Sequence, residues 1–588
     1  MTDNSGNLSL NNPPSGLAPR PLDRRRVPRN RRVPLKRDPS ALAEKTFDLV
    51  VVGGGAFGAW AAYDAAQRGL SVALLERGDF GAGTSAHALR AAHASEPVSL
   101  GSPKAVRRTA TERGDLMRVA PHLVRPLGLM VPHYGGGAWS LLRMGLNVVV
   151  RAAASAGVGR KQHDPARRDR WGGVWWTNRL RATLPDLPRR GLAGGEQIPR
   201  LQVVHPERLV LAVVQSAVSQ GAVVLNHAEV DSLQMEGDAV TGVNVSDRYS
   251  GEHFSVSARA VLNATGPDAG DLLLRGNRAI ELPAAAGGDE LMLVINRRLV
   301  KAGRALAMPV GTDGRRLVVA PLDDGGSLLG PWPLEEADDC AAAVEACLAA
   351  ANRACPVWRL RSEEVRCLSV ARVPGVARGD EAAELIDHAE RDGVTGLFSM
   401  IGRRYPAAHV GAAAALDLVL DRLELPEAAT RTTGVALVGA DTASMAALSE
   451  ELAAVAPSGL AHLVRAAVLS RYGTHASELF RAAIAADTAY TLPGTEVLAA
   501  ELYHAEACEG AVTLADAVLR RGGLDVWGDF GEGVSSAAEV FADARGWSEA
   551  ERAEQMRRLQ AEIAEHVLSS TTDEPSLGPS VSDTEHAA

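Results

Sequence analysis

The sequence predicts an α/β fold of Rossmann-like character over most of its length, with an all-helical domain at the C-terminal end. Three observations carry this expectation. The run VVVGGGAFGA (50–59) sets a glycine-rich turn directly behind an apolar strand. From Phe47 to about Leu425, short strand-like runs alternate with helical ones: LVVV, SVALLE, AVVLNH, AVLNAT, LMLVIN and RLVVAP. Beyond Ala440 the pattern changes, and LAHLVRAAVLSRY, HASELFRAAIAA, GTEVLAAELYHAEA and SEAERAEQMRRLQAEIAEHVL repeat apolar residues near the helical period.

A chain of 588 residues is long enough for two or three domains. Its 46% hydrophobic and 23% charged residues are those of a globular protein whose core needs no disulfide or structural metal. The net charge of -9 argues against general nucleic-acid binding. Cys340, Cys347, Cys355, Cys367 and Cys508 form no C-x-x-C pair and suit neither zinc nor an iron–sulfur cluster. They read as reduced, buried thiols of a cytoplasmic protein, and no metal site is expected. No apolar run is long enough for a transmembrane helix, and the polar N-terminus is not a secretory signal.

Residues 1–45 combine Pro, Asn, Ser and Arg, with the basic run DRRRVPRNRRVPLKR, and read as a disordered basic tail. It is either simply solvated or a weak anchor to anionic lipid or an acidic partner. Residues 46–430 read as one domain, with nucleotide-binding and substrate parts interleaved. Residues 440–568 read as the helical domain, and the acidic stretch 569–588 as a second disordered tail.

FDLVVV is a buried strand, and Gly53, Gly55 and Gly58 then give G-x-G-x-x-G at the head of the helix AWAAYDAAQRG. The first glycine allows the tight turn, the second lets the backbone approach a pyrophosphate, and the third lets helix and strand pack closely. The helix N-terminus offers its free N–H groups to the phosphates. Glu76 ends the second strand, where a carboxylate accepts bonds from ribose hydroxyls. The sequence therefore predicts a dinucleotide cofactor.

This motif alone does not separate FAD from NAD, but four later segments favour FAD. GDFGAGTSA places Thr84 and Ser85 in a small-residue loop after the second strand. ARAVLNATGP ends a strand in Ala264-Thr265-Gly266, which looks like the second fingerprint of flavoproteins. AVVLNHAEV ends at Val230, which in such proteins offers its backbone to the adenine. GLFSMIGRR, with Gly402, precedes a helix whose N-terminus could face the flavin ring. Separated segments converging on one cofactor fit a long FAD.

With these segments in view, the chain resembles the FAD-dependent, quinone-linked glycerol-3-phosphate dehydrogenases within the D-amino-acid-oxidase-like flavoproteins. TERGDLMRVAPHLVRPLGLMVPH, HPERLVLAVVQSAVSQGAVVLNH, ALDLVLDRLE, LSRYGTHASELF and AELYHAEACEGAVTLADAVLRR carry the resemblance over roughly 47–567. It implies an FAD-binding domain interleaved with a mixed-sheet substrate domain, followed by the helical domain. It implies oxidation of glycerol 3-phosphate to dihydroxyacetone phosphate, with electrons passed to quinone. Peripheral contact with the inner face of the membrane is implied by the family only.

The departures fall at the substrate end. The family's T-S-S-R-S-S-K-L-I-H-G-G-L-R-Y-L appears as TSAHALRAAHASEPVS, which keeps Thr84, Ser85 and His93 but loses the paired glycines, the Arg and the Tyr. SVARVPG keeps Arg372 as the candidate phosphate ligand, whereas ELIDH sets Ile386 where an arginine is expected. G-G-K-L-T-T-Y-R becomes IGRRYPAA, with Arg403 in the lysine's place and both threonines gone. His93 is a candidate proton acceptor, since imidazole titrates near neutrality. The resemblance thus gives His93, Arg372 and Arg403 as catalytic candidates.

The departures leave two alternatives: a flavin dehydrogenase or oxidase for another hydroxy or amino compound, and a catalytically silent homologue acting as a binding protein. RWGGVWWTNR (170–179) either packs in the core or walls a cleft or membrane surface.

Overall fold

The computed structural model describes residues 33–87, 90–92, 103–135, 142, 145–147, 149, 173–275, 280–282, 288–310, 316–334, 339–374, 382–402, 404–524 and 531–564. Four of the apolar runs form the parallel core of a six-stranded sheet. Its order is Ala383–Asp387, Leu397–Gly402, Val261–Asn263, Leu49–Val52, Val72–Leu75 and Val223–Leu225, and only the first of these is antiparallel to its neighbour. Leu49–Val52 is buried on both faces, as expected for a parallel strand covered on two sides. The helix Ala56–Gln67 lies against it and packs on Pro206–Ser219 and Ala408–Arg422. Its core positions are small (Ala59, Ala61, Ala62 and Ala65 are fully buried), so backbones approach where larger side chains would hold them apart.

LMLVIN and RLVVAP enter a second, mixed sheet of nine strands. Its path is Val365–Val373, Gly288–Ile295, Ser327–Leu334, Arg316–Pro321, Arg304–Pro309, Val124–Tyr134, Leu192–Val203 and Ala91–Ala92, with Gly173–Trp176 also on Leu192–Val203. A three-stranded antiparallel sheet joins Ala228–Glu236, Ala239–Asp247 and His253–Ser257. Within RWGGVWWTNR, Trp175 is buried under the Arg179 guanidinium, 4.1 Å from its ring centre, while Trp176 is 64% exposed.

The C-terminal part contains the helices Met445–Val455, His462–Tyr472, Ala476–Ala485, Ala499–Glu509, Glu532–Arg545 and Glu549–Ala564, with a π-helical turn at Asp516–Arg521. They enclose two apolar clusters, one around Phe541 and one around Phe480. No helix among the described residues is long and apolar enough to cross a membrane. All five cysteines are free, and burial pushes the Cys347 and Cys355 thiols up to about 12, which keeps them protonated.

Two expectations need correction. The N-terminal tail does not extend to residue 45. Leu35 donates its N–H to the Cys508 carbonyl at 3.0 Å, Leu42 is fully buried, and Arg37 forks onto both carboxylate oxygens of Asp247 at 3.0 and 2.7 Å. Average composition hid two apolar anchors and one bidentate arginine. Likewise AVVLNHAEV is not one strand. It breaks at Asn226 and His227, where His227 adopts φ 52°, and Val230 lies inside the next strand, Ala228–Glu236, paired with Val245.

The seam between the sheets and the helical domain is ionic and buried. Arg208 donates to Glu509 at 2.7 Å and to the Arg471 carbonyl at 3.0 Å. His227 Nε2 meets Asp516 Oδ2 at 2.9 Å. Burial opposes the Glu509 charge, but Arg208 and its neighbours prevail and bring the carboxyl from 4.5 to about 2. Burial also opposes the His227 charge, yet Asp516 and Asp79 outweigh it and Arg520, so the net shift is upward from 6.5.

Opposite shifts define a window. The Glu509 contribution is present above 4.5 and is lost as pH falls toward about 2. The His227 contribution is complete below 6.5 and is lost as pH rises through its raised value. The unfolding midpoint is therefore expected to fall on the alkaline side of 6.5 more steeply in the wild type than in a His227→Gln variant. Parallel curves from thermal melts of the two proteins would rule this out.

Candidate cofactor and substrate site

The carboxyl ends of the parallel strands Leu49–Val52 and Val261–Asn263 lie side by side, so the two glycine-bearing turns meet there. Gly53 holds φ 106°, and a Cβ on it would lie 2.6 Å from the Ala264 carbonyl oxygen. A Cβ on Gly58 would lie 1.9 Å from the Gly53 oxygen. Gly55 precedes the first helical residue, and the Ala56 N–H donates to Ser85 Oγ at 2.9 Å. No acidic side chain occupies that first turn.

Glu76 leaves the second strand and turns back over the glycines. Its carboxylate accepts the Gly54 N–H at 2.6 Å and the Gly78 N–H at 2.8 Å. Burial pushes this carboxyl upward against those two donors. Across the turn, Thr265 hydrogen-bonds Asn263 Oδ1 at 2.7 Å, and Gly266, at φ 66°, has open space where a Cβ would stand.

The substrate-side candidates divide. Thr84 Oγ1 donates to the Arg372 carbonyl at 2.8 Å, joining the small-residue loop to the strand Val365–Val373. The Arg372 guanidinium, 66% exposed, lies 3.3 Å from Asp268, which also pairs with Arg77 at 2.7 Å. Thr84, Thr265, Gly266 and Arg372 are thus brought together. His93 and Arg403 lie outside the described residues. Val230 stands in the three-stranded sheet, with its side chain buried. At Gly402 a Cβ would fall 2.0 Å from the Phe57 ring, so this glycine admits the aromatic side chain of the first helix.

Sequence reasoning missed several neighbours. His87 Nδ1 meets Ser369 Oγ at 2.6 Å, tying the loop to the same strand as Arg372. Asp268 follows the A-T-G run directly, and that adjacency was the available signal. Behind the loop, Asp79, His227 and Asp516 bring three side chains of metal-ligating kind together, but Arg520 and Arg521 already pair with the two carboxylates, so protein cations fill the place. Deeper still, Arg404 lies 3.8 Å from the buried Glu112, and Tyr405 donates to the Pro206 carbonyl at 2.7 Å.

The donor set fits a dinucleotide: backbone N–H groups at a helix N-terminus, a glycine cradle that side chains would fill, and a carboxylate at the end of the second strand. Comparison with known proteins agrees. Residues 48–402 match the family model described as FAD dependent oxidoreductase, and residues 430–552 match that of the C-terminal domain of alpha-glycerophosphate oxidase. The chain is 29% identical over 549 residues to glycerol-3-phosphate dehydrogenase 2 of Mycobacterium tuberculosis, covering 89% of each. It is 26% identical to a glycerol-3-phosphate dehydrogenase of Synechocystis, covering 89% of this chain and 97% of the relative. In fold it resembles the glycerol-3-phosphate dehydrogenase of Bacillus halodurans complexed with FAD. The TM-score is 0.69 at 22% identity, over 91% of this chain and 98% of that one.

Proposed function

We propose, for a chain that belongs to the FAD-dependent oxidoreductase family over residues 48–402, the oxidation of glycerol 3-phosphate to dihydroxyacetone phosphate, with the electrons passed on to a quinone. One observation carries this reading. A single chain joins the FAD-dependent domain to a C-terminal domain of the alpha-glycerophosphate oxidase type, at residues 430–552. Relatives named for glycerol 3-phosphate align across both parts.

The residues divide the work as follows. The N–H groups around Gly53, Gly55 and Gly58 would hold the pyrophosphate, Glu76 the ribose, and the Thr265–Gly266 turn and Ser85 the flanking parts of FAD. When bound, FAD supplies the hydride-accepting chemistry. Oxidation of the secondary alcohol breaks its C–H and O–H bonds and forms C=O. The hydride leaves carbon, and the hydroxyl proton goes to a protein base, which we assign to His93. Arg372 and Arg403 supply positive charge for the phosphate, for which a guanidinium fork is matched in shape. Asp268 holds the Arg372 side chain at the mouth formed by the two glycine turns.

Peripheral membrane contact belongs to the same reading, on the cytoplasmic side. It draws support from Leu142, Leu146 and Val149, exposed by 62%, 51% and 62% at helical spacing.

An Arg372→Met variant is expected to raise KM for glycerol 3-phosphate by about tenfold, the low end for a lost charged hydrogen bond. Turnover of the neutral analogue glycerol should be little changed. Equal losses on both substrates, in steady-state assays with a quinone analogue, would remove Arg372 from phosphate binding.

A further inference from the structure

The turn that carries Glu76 is gripped from behind by the helical domain. Asp79 lies three residues past Glu76, with 1% exposure. Its Oδ1 accepts Arg521 Nη2 at 2.9 Å and Asn226 Nδ2 at 3.0 Å. Its Oδ2 accepts Arg520 Nε at 2.9 Å and also Arg521 Nη1. Arg521 is fully buried and donates again to the Glu509 carbonyl at 2.9 Å. Arg520 continues to Asp516 at 2.9 Å and to Glu562 at 2.7 Å.

The same turn is held on its other side. The His227 N–H donates to the Gly78 carbonyl at 2.7 Å, and its imidazole meets Asp516 at 2.9 Å. The Ala228 N–H donates to the Glu76 carbonyl at 2.7 Å. Asn226, besides bonding Asp79, donates to the Gly510 carbonyl at 3.0 Å. Every side-chain bond to Asp79 among the described residues therefore comes from the π-helical turn Asp516–Arg521 or from Asn226, which the helical domain itself engages.

Buried carboxylates and guanidiniums of this kind are costly to leave unpaired, so undocking the helical domain would loosen the Asp79 end of the turn even though His227 and Ala228 still hold its backbone. Separation of the domains would strand Asp79 three residues from the ribose carboxylate. Conversely, any ligand that orders Glu76 also orders the acceptor for Arg520 and Arg521. Two sites that share one rigid element in this way must be coupled, and coupling is reciprocal.

We propose that the helical domain is a retention element for FAD, in which Arg520 and Arg521 act as positioning residues. They clamp the Glu76–Asp79 turn, so that domain docking and cofactor binding are one linked equilibrium. This rests on the assignment of Glu76 to the ribose of FAD. It gives the C-terminal domain a role in the cofactor site although none of its described residues lies in the glycine cradle.

The test uses the full chain stripped of flavin and retitrated with FAD and, separately, with ADP. In the wild type, FAD is expected to slow amide hydrogen exchange in 509–521 as well as around the glycine turn. In Arg521→Met, both FAD and ADP should bind about tenfold more weakly, an ordinary strength of coupling between sites. The FAD-dependent protection of 509–521 should disappear, with Arg521→Lys recovering part of each effect. FAD binding that leaves exchange in 509–521 unchanged in the wild type overturns the clamp, whether or not the variant folds. So do unchanged affinities in a folded Arg521→Met. A chain that binds no FAD overturns the clamp together with the cofactor assignment beneath it.

Discussion

A Gly58→Ala variant is expected to purify without bound flavin, with FAD affinity reduced by about a hundredfold, the upper end of an overpacking cost of about 1–3 kcal/mol. The added methyl would stand 1.9 Å from the Gly53 carbonyl oxygen, a backbone atom with no room to swing aside. Gly53 is itself fixed at φ 106° against the Ala264 carbonyl, so the strain passes directly to the second glycine turn. Helix and strand must separate, and the N–H groups at the helix start lose their common aim. Visible absorbance of the purified protein and a fluorescence titration with FAD check this. A yellow variant with wild-type affinity would mean that the turn relaxes at no cost.

The second large effect is expected at the seam. Removing Glu509 leaves the Arg208 guanidinium, 5% exposed, without its carboxylate. Breaking a buried pair in this one-sided way costs about 3–5 kcal/mol, because the remaining charge stays buried without its partner. Arg208 keeps the Arg471 carbonyl and the Tyr472 ring, 4.4 Å from its centre, and neither neutralises it. Glu509→Ala should therefore release the helical domain at much lower urea than the wild type, while the sheet domain unfolds near its usual midpoint. A double variant with Arg208→Met should recover part of the loss. Unfolding followed separately in the two domains distinguishes this from general weakening, and a shift below about 0.5 kcal/mol would contradict it.

What the sequence disclosed and what it concealed follow from the separation of the interacting residues. The strand, the three glycines, the helix and Glu76 are neighbours in the chain, and Gly58 is required by its close approach to Gly53 within that short unit, whereas Gly53 is required by the distant Ala264 carbonyl. Four helices beyond 440, His462–Tyr472, Ala476–Ala485, Ala499–Glu509 and Glu549–Ala564, were legible from periodicity alone. By contrast, Arg372 is held by Asp268 across 104 positions, and Thr84 reaches the Arg372 carbonyl across 288. The pairing of Asp79 with Arg521 spans 442. No local pattern marks such partners. AVVLNHAEV reads as one strand because its break falls at a non-glycine residue in a left-handed conformation, His227, where no Gly or Pro announces it. The tail was overextended because its composition outweighed Leu35, Leu42 and Arg37, whose partners Cys508 and Asp247 lie far along the chain.

The substrate end differs from the cofactor end in kind. Ile386, in the strand Ala383–Asp387, stands where the resemblance calls for an arginine. Arg372 is present, but it is paired in advance with Asp268. A phosphate must therefore compete with a carboxylate already in place, and substrate binding is tested directly by reduction of the flavin.

That test is anaerobic. The flavin spectrum of the purified protein is recorded, glycerol 3-phosphate is added, and the absorbance is followed. Rapid bleaching is the predicted result. A flavin that dithionite bleaches and glycerol 3-phosphate leaves yellow would contradict the assignment of the substrate while leaving the cofactor site intact.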